Sequence, residues 1–148
     1  MKLSEAVSQL HNARAAHKAW VARAEALIVG INVNKEHIPM LPTDCIFGQW
    51  YYGSGQMLRN LPAYHAIEKS HDDLHRIYMH IFKLLFDEPD VSAWGGLFGQ
   101  QAKVKAVQLK KAEALLPRLQ SISEEVCELL ETLEKQLIET ATHQSSMK

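Results

Sequence analysis

The spacing of apolar residues constrains this chain more than any other feature, because three long segments repeat apolar side chains every three or four positions. One face of an α-helix has this period, whereas a half-buried strand alternates at every second residue. Segments 3 to about 30, 62–86 and 100 to about 141 have the helical period, and no segment shows the strand alternation. The sequence therefore predicts an all-α fold, an antiparallel four-helix bundle with a short cysteine-bearing helix and a long C-terminal helix.

Proline, glycine and capping residues indicate where the predicted helices begin and end. The first helix is expected to end near Gly30. A short helix is expected to begin with Thr43 or Asp44 as its N-cap residue and to end at Gly53. The segment 87–99, which contains a proline and three glycines, is predicted to be the main loop.

The predicted last helix has an apolar seam with the alternating steps of four and three of a heptad repeat. The seam consists of Leu115, Leu119, Ile122, Val126, Leu129, Leu133 and Leu137. Pro117 is expected to kink this helix or to divide it. The helix begins basic, with lysines between 103 and 111, and becomes acidic, with glutamates between 124 and 134. This asymmetry indicates either a solvated face or antiparallel pairing of two copies of the chain.

The length of 148 residues suits one domain with its own core. Residues 1–142 are predicted to form a single helical bundle domain, and residues 143–148 a flexible tail. Sixteen lysines and arginines against seventeen acidic residues give a formal charge of -1, which offers no reason to expect nucleic acid as a partner. No segment approaches the roughly 20 apolar residues of a membrane span, and the N-terminus lacks the apolar run of a signal peptide. We therefore expect a cytoplasmic protein without membrane insertion, whose two cysteines do not form a disulfide.

Three histidines and one cysteine are the donors that helical geometry directs to the interior. His71 and His75 are four residues apart, so a helix places both imidazoles on one face. His17 lies on the apolar face of the first helix, and Cys45 lies on the adjacent short helix. Taken singly, each is more typical of an ordinary core residue, and the prediction depends on their convergence. Three imidazoles with one thiolate form a ligand set for Zn²⁺, so we predict a closed zinc site.

The surroundings of the predicted site contain aromatic and acidic residues. Trp20 and Trp50 are expected to form its walls, and Asp72 is a candidate to orient a histidine, although its position between the two histidine faces favours solvent. Cys45 is expected to be the redox-reactive residue, because a coordinated thiolate is nucleophilic. The role of Cys127 stays open.

Three motifs resemble the chemoreceptor zinc-binding domain family, often called CZB. They are HKAW at 17–20, CIFGQWYYG at 45–53 and HDDLH at 71–75. The resemblance covers roughly residues 10–90 and implies that Zn²⁺ is held by the four donors named above, inside a helical bundle that is often a homodimer. The sequence departs from the family at Gln49, where a basic residue is common, and we expect that no output domain follows.

The resemblance also implies a sensory role, because such domains are attached to bacterial chemoreceptors and diguanylate cyclases and respond to hypochlorous acid and to zinc. We therefore expect a zinc-binding sensory or regulatory module in bacterial signal transduction, a homodimer with an unknown signalling partner and no catalytic activity. Two alternatives stay open: a metal-free helical interaction or scaffold protein, and a metal-dependent enzyme of the bundle type. The chain has a single Glu-x-x-His motif, at 68–71, whereas di-iron bundle enzymes need two copies and two further glutamates. This argues against the enzyme alternative. It is also opposed by the fourth protein ligand, because catalytic zinc keeps one position open.

Overall fold

The computed structural model describes residues 2–87 and 98–147, with the side chains of the last helix described from residue 102 onward. Four α-helices follow in order: α1 Leu3–Ile28, α2 Ile46–Tyr52, α3 Pro62–Phe86 and α4 Phe98–Ser146. Two short 3₁₀ helices, Lys35–His37 and Ser54–Leu58, lie in the connections on either side of α2. No strand occurs in the described residues, so the prediction of an all-α helical bundle is confirmed.

The long helices α1 and α3 both run antiparallel to α4, and they are therefore parallel to each other. At the start of α3, the backbone N–H of Ala63 donates to Oε1 of Gln136 near the end of α4, at 3.0 Å. At the end of α3, residues 84–87 line a common cavity with residues 105–109 of α4. His11 of α1 contacts Glu134 of α4, and His17 contacts Ser123. Later residues of α1 therefore contact earlier residues of α4, as in an antiparallel pair.

The core lies between these three helices, and α2 covers it on the side of α1. The stripe predicted along 62–86 is the buried face of α3, because Ile67, Leu74 and Tyr78 are completely buried there. Burial of a large apolar side chain contributes about 1.5–3 kcal/mol to folding, so this face accounts for a substantial part of the bundle's stability. No helix of the described residues has the length and apolar character that a membrane crossing needs.

The heptad seam of α4 packs within its own chain. Leu119, Val126 and Leu133 are completely buried in the core formed with α1 and α3. The other seam residues pack at the edge of that core and are half-buried: Leu115, Ile122, Leu129 and Leu137. Most of the apolar surface that predicted a coiled-coil seam is therefore used inside the bundle.

The end of α4 differs from the expectation, and Pro117 does not divide the helix. The helix is assigned without interruption through Pro117, and it continues to Ser146, beyond the expected end near 141. A proline removes one helical hydrogen bond at a cost of about 3 kcal/mol. Here Ala112 and Leu119 are both completely buried, and their packing holds the helix on either side of the proline. Residues 88–97 of the predicted main loop lie outside the described residues.

The start of α2 also differs from the expectation. Its N-cap residue is Cys45, whose Sγ accepts the backbone N–H of Gly48 at 3.2 Å, rather than Thr43 or Asp44. A thiol is a weak acceptor and is rarely considered as a cap, so the threonine and the aspartate had the stronger signal in the sequence. Gly53 ends the helix as expected.

Candidate metal centre

Cys45, His71 and His75 meet in the interior of the bundle. Each offers one ligand atom, and these atoms all lie within 4.8 Å of one another. The two histidines are one turn apart on the buried face of α3, and the cysteine faces them from the start of α2. All three are buried, with exposed fractions of 4%, 1% and 2% respectively. The structure therefore brings together three of the four residues predicted to hold a metal.

The thiol of Cys45 has three polar neighbours. Its Sγ accepts the N–H of Gly48 and lies 3.4 Å from the carbonyl oxygen of Pro42 and 3.3 Å from Nε2 of His71. Burial raises the pKa of this thiol, and the N–H of Gly48 opposes that shift only in part. The sulfur is therefore protonated at neutral pH unless a cation lies beside it.

Gly48 allows α2 to approach the preceding loop closely enough to place the thiol. A Cβ at this position would overlap the carbonyl oxygen of Pro42 and would lie 3.4 Å from Sγ of Cys45. Because glycine has no side chain, the backbone of α2 packs directly on the loop. The glycine three residues after the cysteine thus has a steric function at this site.

His75 is oriented by a backbone carbonyl. Its Nδ1–H donates to the oxygen of Met40 at 2.8 Å, which leaves Nε2 as the nitrogen with a free lone pair. This Nε2 is buried and has no hydrogen-bond partner among the described residues. Burial lowers the pKa of His75 to about 4, so the ring is neutral at physiological pH. An unpaired buried nitrogen of this kind is suited to a metal ion.

His71 completes the group of three. Its Nε2 faces the sulfur of Cys45, while its Nδ1 is buried without a partner in the described part of the chain. Burial lowers its pKa to about 3, and the neighbouring His75 and His17 add to this shift, so the ring is neutral. Unlike His75, this imidazole has no carbonyl among the described residues to fix its tautomer.

His17 lies outside the group of three, although it is equally buried. Its Nε2 is 3.0 Å from Oγ of Ser123 on α4. Burial lowers its pKa to about 4, and the contact with Ser123 opposes that shift. The ring is close to the site, because it packs on Phe47 at 5.8 Å and Phe47 packs on His71 at 4.7 Å between ring centroids. The role of His17 as a metal ligand stays a prediction.

The aromatic walls are only partly those expected. Trp20 packs on His75 with ring centroids 4.5 Å apart and donates its Nε1–H to the carbonyl of Pro39 at 3.1 Å. Trp50 packs on Phe47 at 5.8 Å and thus lies behind the ring that contacts His71. Phe47 itself was missed, and its only signal in the sequence was an aromatic side chain two positions after Cys45.

Asp72 is half-buried on the outer side of α3. It lines a surface cavity with His65, Glu68 and Asp73, and it makes no hydrogen bond to a site histidine in the described residues. Its charge acts on Tyr52 instead, because Asp72 contributes to raising the pKa of that phenol to about 12, after the larger effect of burial. A role of Asp72 in orienting a site histidine stays a prediction.

The donor chemistry of the group fits Zn²⁺. Two neutral imidazoles and one thiol are the ligand types that zinc takes in proteins, and the buried Nε2 of His75 has no other partner. A structural zinc site has four protein ligands, so the group is one donor short, and His17 is the nearby buried imidazole available.

Residues 17–82 match the family model of the chemoreceptor zinc-binding domain, CZB. The predicted resemblance is confirmed over this segment, which is less than half of the chain and contains all four predicted metal ligands. Searches of curated proteins and of solved structures found no significant match.

Proposed function

We propose that this protein is a zinc-binding sensory or regulatory module in bacterial signal transduction, which responds to zinc availability, to oxidation of Cys45, or to both. The observation that supports the proposal most is the buried group of Cys45, His71 and His75, in which Nε2 of His75 has no partner in the described residues. The CZB match over the same residues is the second support.

Zinc is expected to be held by these three residues with His17 as the fourth ligand. Bound zinc would supply the positive charge that stabilises the thiolate of Cys45 in a buried site. The carbonyl of Met40 keeps Nδ1 of His75 protonated, and the N–H of Gly48 donates to the sulfur. Trp20 and Phe47 cover the imidazoles and exclude water.

The first proposed input is zinc itself. The Cys45 thiol must lose its proton to act as a ligand, so the occupancy of the site follows free zinc and falls with acidity. Because the donors belong to different helices, bound zinc stabilises their arrangement. The proposed signal is therefore a change in helix packing.

The second proposed input is an oxidant such as hypochlorous acid. The thiolate attacks HOCl, the sulfur gains a hydroxyl group and loses two electrons, and chloride leaves, so RS⁻ and HOCl give RSOH and Cl⁻. The sulfenic acid is a poorer ligand than the thiolate, so oxidation removes one of four ligands.

The proposed output is a shift of the helices that passes to a partner through a dimer face or through α4. We infer a cytoplasmic homodimer that acts on a signalling protein, such as a component of a chemoreceptor or diguanylate cyclase pathway. The half-buried residues of the α4 seam are the part of that helix most sensitive to such a shift, because they lie at the edge of the core.

Metal content tests the site. The purified protein should contain about one zinc per chain by plasma mass spectrometry. Cys45→Ser and the double variant His71→Ala/His75→Ala should lose it, while His80→Ala, an exposed histidine on the same helix, should retain it. A protein without zinc, with unchanged thermal stability when zinc is added, would instead support a metal-free interaction protein.

Zinc release on oxidation tests the sensor. Hypochlorous acid should release zinc in proportion to oxidant added, as measured with a chromogenic chelator. The matched control is Cys127→Ser, because Cys127 is the other free cysteine and is half-buried on α4. The proposal requires that this variant still responds. A response that depends on Cys127 would contradict the role of Cys45.

A further inference from the structure

His17 and Ser123 form a buried hydrogen bond between α1 and α4, at 3.0 Å and with exposed fractions of 2% and 8%. The other side-chain hydrogen bonds between these helices are exposed, namely His11 to Glu134, Arg14 to Glu131 and Gln120 to Glu25. Exposed pairs contribute little to stability, whereas a buried pair that is broken leaves two polar groups without water. Within the described residues, the contact of His17 with Ser123 is therefore the polar link between α1 and α4 that is most costly to break.

The same imidazole is the predicted fourth donor of the proposed metal centre. Cys45, His71 and His75 offer three ligand atoms, and tetrahedral zinc in a closed site takes four. His17 is buried near them, and its ring and the ring of His71 both pack on Phe47. The Nε2 of His17 contacts Ser123, so coordination of a metal through Nε2 would break this hydrogen bond, whereas coordination through Nδ1 would retain it.

We propose that His17 coordinates the metal through Nε2, so that Ser123 competes with the metal for this nitrogen and lowers the zinc affinity of the site. This inference rests on the proposed zinc binding. Without metal, the hydroxyl of Ser123 holds His17 on α4. When zinc is bound, His17 belongs to the metal centre, and Ser123 is left in the core between Leu119 and Val126, both completely buried.

The exchange links the metal centre to α4. A hydroxyl without a partner in an apolar core is costly, so α4 has to adjust at Ser123 when His17 leaves it. Ser123 lies on the buried face of α4, one turn from residues of the seam. The free energy needed to break the hydrogen bond reduces the net free energy of zinc binding. The hydroxyl that is left without a partner favours the adjustment of α4.

Ser123→Ala tests the competition, because it removes the competing hydroxyl and leaves the ligands intact. We expect zinc to bind about two- to tenfold more tightly, the equivalent of one net hydrogen bond, in a competition titration with a chelator of known affinity. The matched control is Ser121→Ala, an exposed serine two positions away, for which no change is expected. An unchanged affinity in Ser123→Ala would overturn the inference. Weaker binding would also overturn it, because Ser123 would then support the coordinated His17.

A double-mutant cycle shows that the effect passes through His17. In a His17→Ala background, Ser123→Ala should leave the zinc affinity unchanged. A gain in affinity that persists without His17 would contradict the exchange. Imidazole ¹⁵N spectra of the wild type should show a zinc-dependent change at Nε2 of His17. If the wild type binds no zinc at all, the proposed function fails, whereas normal zinc binding with no effect of Ser123→Ala overturns only this inference.

Discussion

The Nδ1 of His75 lies 2.8 Å from the carbonyl oxygen of Met40, and this contact decides which nitrogen of the ring is available to the candidate metal centre. Because a carbonyl only accepts, the proton is on Nδ1 and the lone pair is on Nε2. The loop before α2 thus contributes to the site without offering a ligand of its own.

Two neighbouring carbonyls of that loop act on the same site. The oxygen of Pro39 accepts the indole N–H of Trp20, and the oxygen of Pro42 lies 3.4 Å from the sulfur of Cys45. The segment 39–42 is therefore attached to α1, α2 and α3 through residues in and around the candidate metal centre. A loop held in this way should become ordered together with the metal centre.

The stability of the metal-free protein should depend on pH through its buried histidines. The pKa values of His17 and His75 are lowered to about 4 and that of His71 to about 3, whereas the unfolded chain titrates near 6.5. Between pH 6.5 and 4 the unfolded state binds more protons, so the free energy of unfolding falls as the pH falls, by up to about 1.4 kcal/mol per pH unit for each histidine.

Urea denaturation in the presence of a chelator, at pH values from 7.5 to about 4.5, measures this dependence. A His17→Asn variant should have a shallower slope over the same range, because one titrating group is removed. The matched control is His80→Asn, which replaces an exposed histidine and leaves the three buried imidazoles in place. A free energy of unfolding that is constant between pH 6.5 and 4.5 would contradict the burial of neutral imidazoles.

Zinc should stabilise the folded protein. At a free concentration of about 100 times the dissociation constant, zinc should raise the free energy of unfolding by about 2.7 kcal/mol. Urea denaturation in zinc buffer and in chelator gives this difference, which should vanish in Cys45→Ser.

The fluorescence of Trp20 should report zinc binding, because its ring packs on His75. Trp20→Phe should therefore remove a zinc-dependent fluorescence signal that Trp50→Phe retains. An equal signal loss in both variants would contradict this assignment.

Gly48→Ala should destabilise the protein and weaken zinc binding. The new Cβ would overlap the carbonyl oxygen of Pro42, and separating α2 from the loop would move the sulfur of Cys45. We expect a loss of about 3 kcal/mol, at the upper end for overpacking in a core. The comparison is Gly30→Ala, where the backbone φ is +88° but the space is open, and the expected loss is about 1–2 kcal/mol with no change in zinc affinity. Equal effects of both variants on zinc affinity would contradict a steric role of Gly48 at the site.

Tyr51 and Tyr64 should stabilise the junction of α2 and α3. Each phenol donates to the backbone carbonyl of the other residue at 2.6 Å, and the rings stack with centroids 4.3 Å apart. Tyr51→Phe should lower the free energy of unfolding by about 1–3 kcal/mol, because it leaves the buried carbonyl of Tyr64 without this donor. Tyr52→Phe, at an exposed position, should change it by less than about 0.5 kcal/mol. Urea denaturation of the two variants measures both changes. Similar losses of stability in both would contradict a stabilising role of the hydrogen bonds between Tyr51 and Tyr64.

The sequence by itself determined the features that depend on local geometry. The helical period predicted α3 at 62–86 with both of its ends, and the spacing of His71 and His75 placed both imidazoles on one buried face, because these relations follow from 3.6 residues per turn. The three motifs likewise predicted the family that residues 17–82 match. The start of α2 was not predicted, because the sequence favoured Thr43 or Asp44 as the N-cap residue and the structure has Cys45. The continuity of α4 through Pro117 was also open in the sequence, because it depends on packing on both sides of the proline.

Only the tertiary structure decided which groups surround the donors. The contact of His17 with Ser123 joins residues 106 positions apart, and no local pattern marks that serine. The carbonyls of Pro39, Met40 and Pro42 have no signal in the sequence, since every residue has the same carbonyl group. The apolar seam of α4 suited a partner chain as well as its own bundle, because burial depends on where α1 and α3 lie and not on the seam itself.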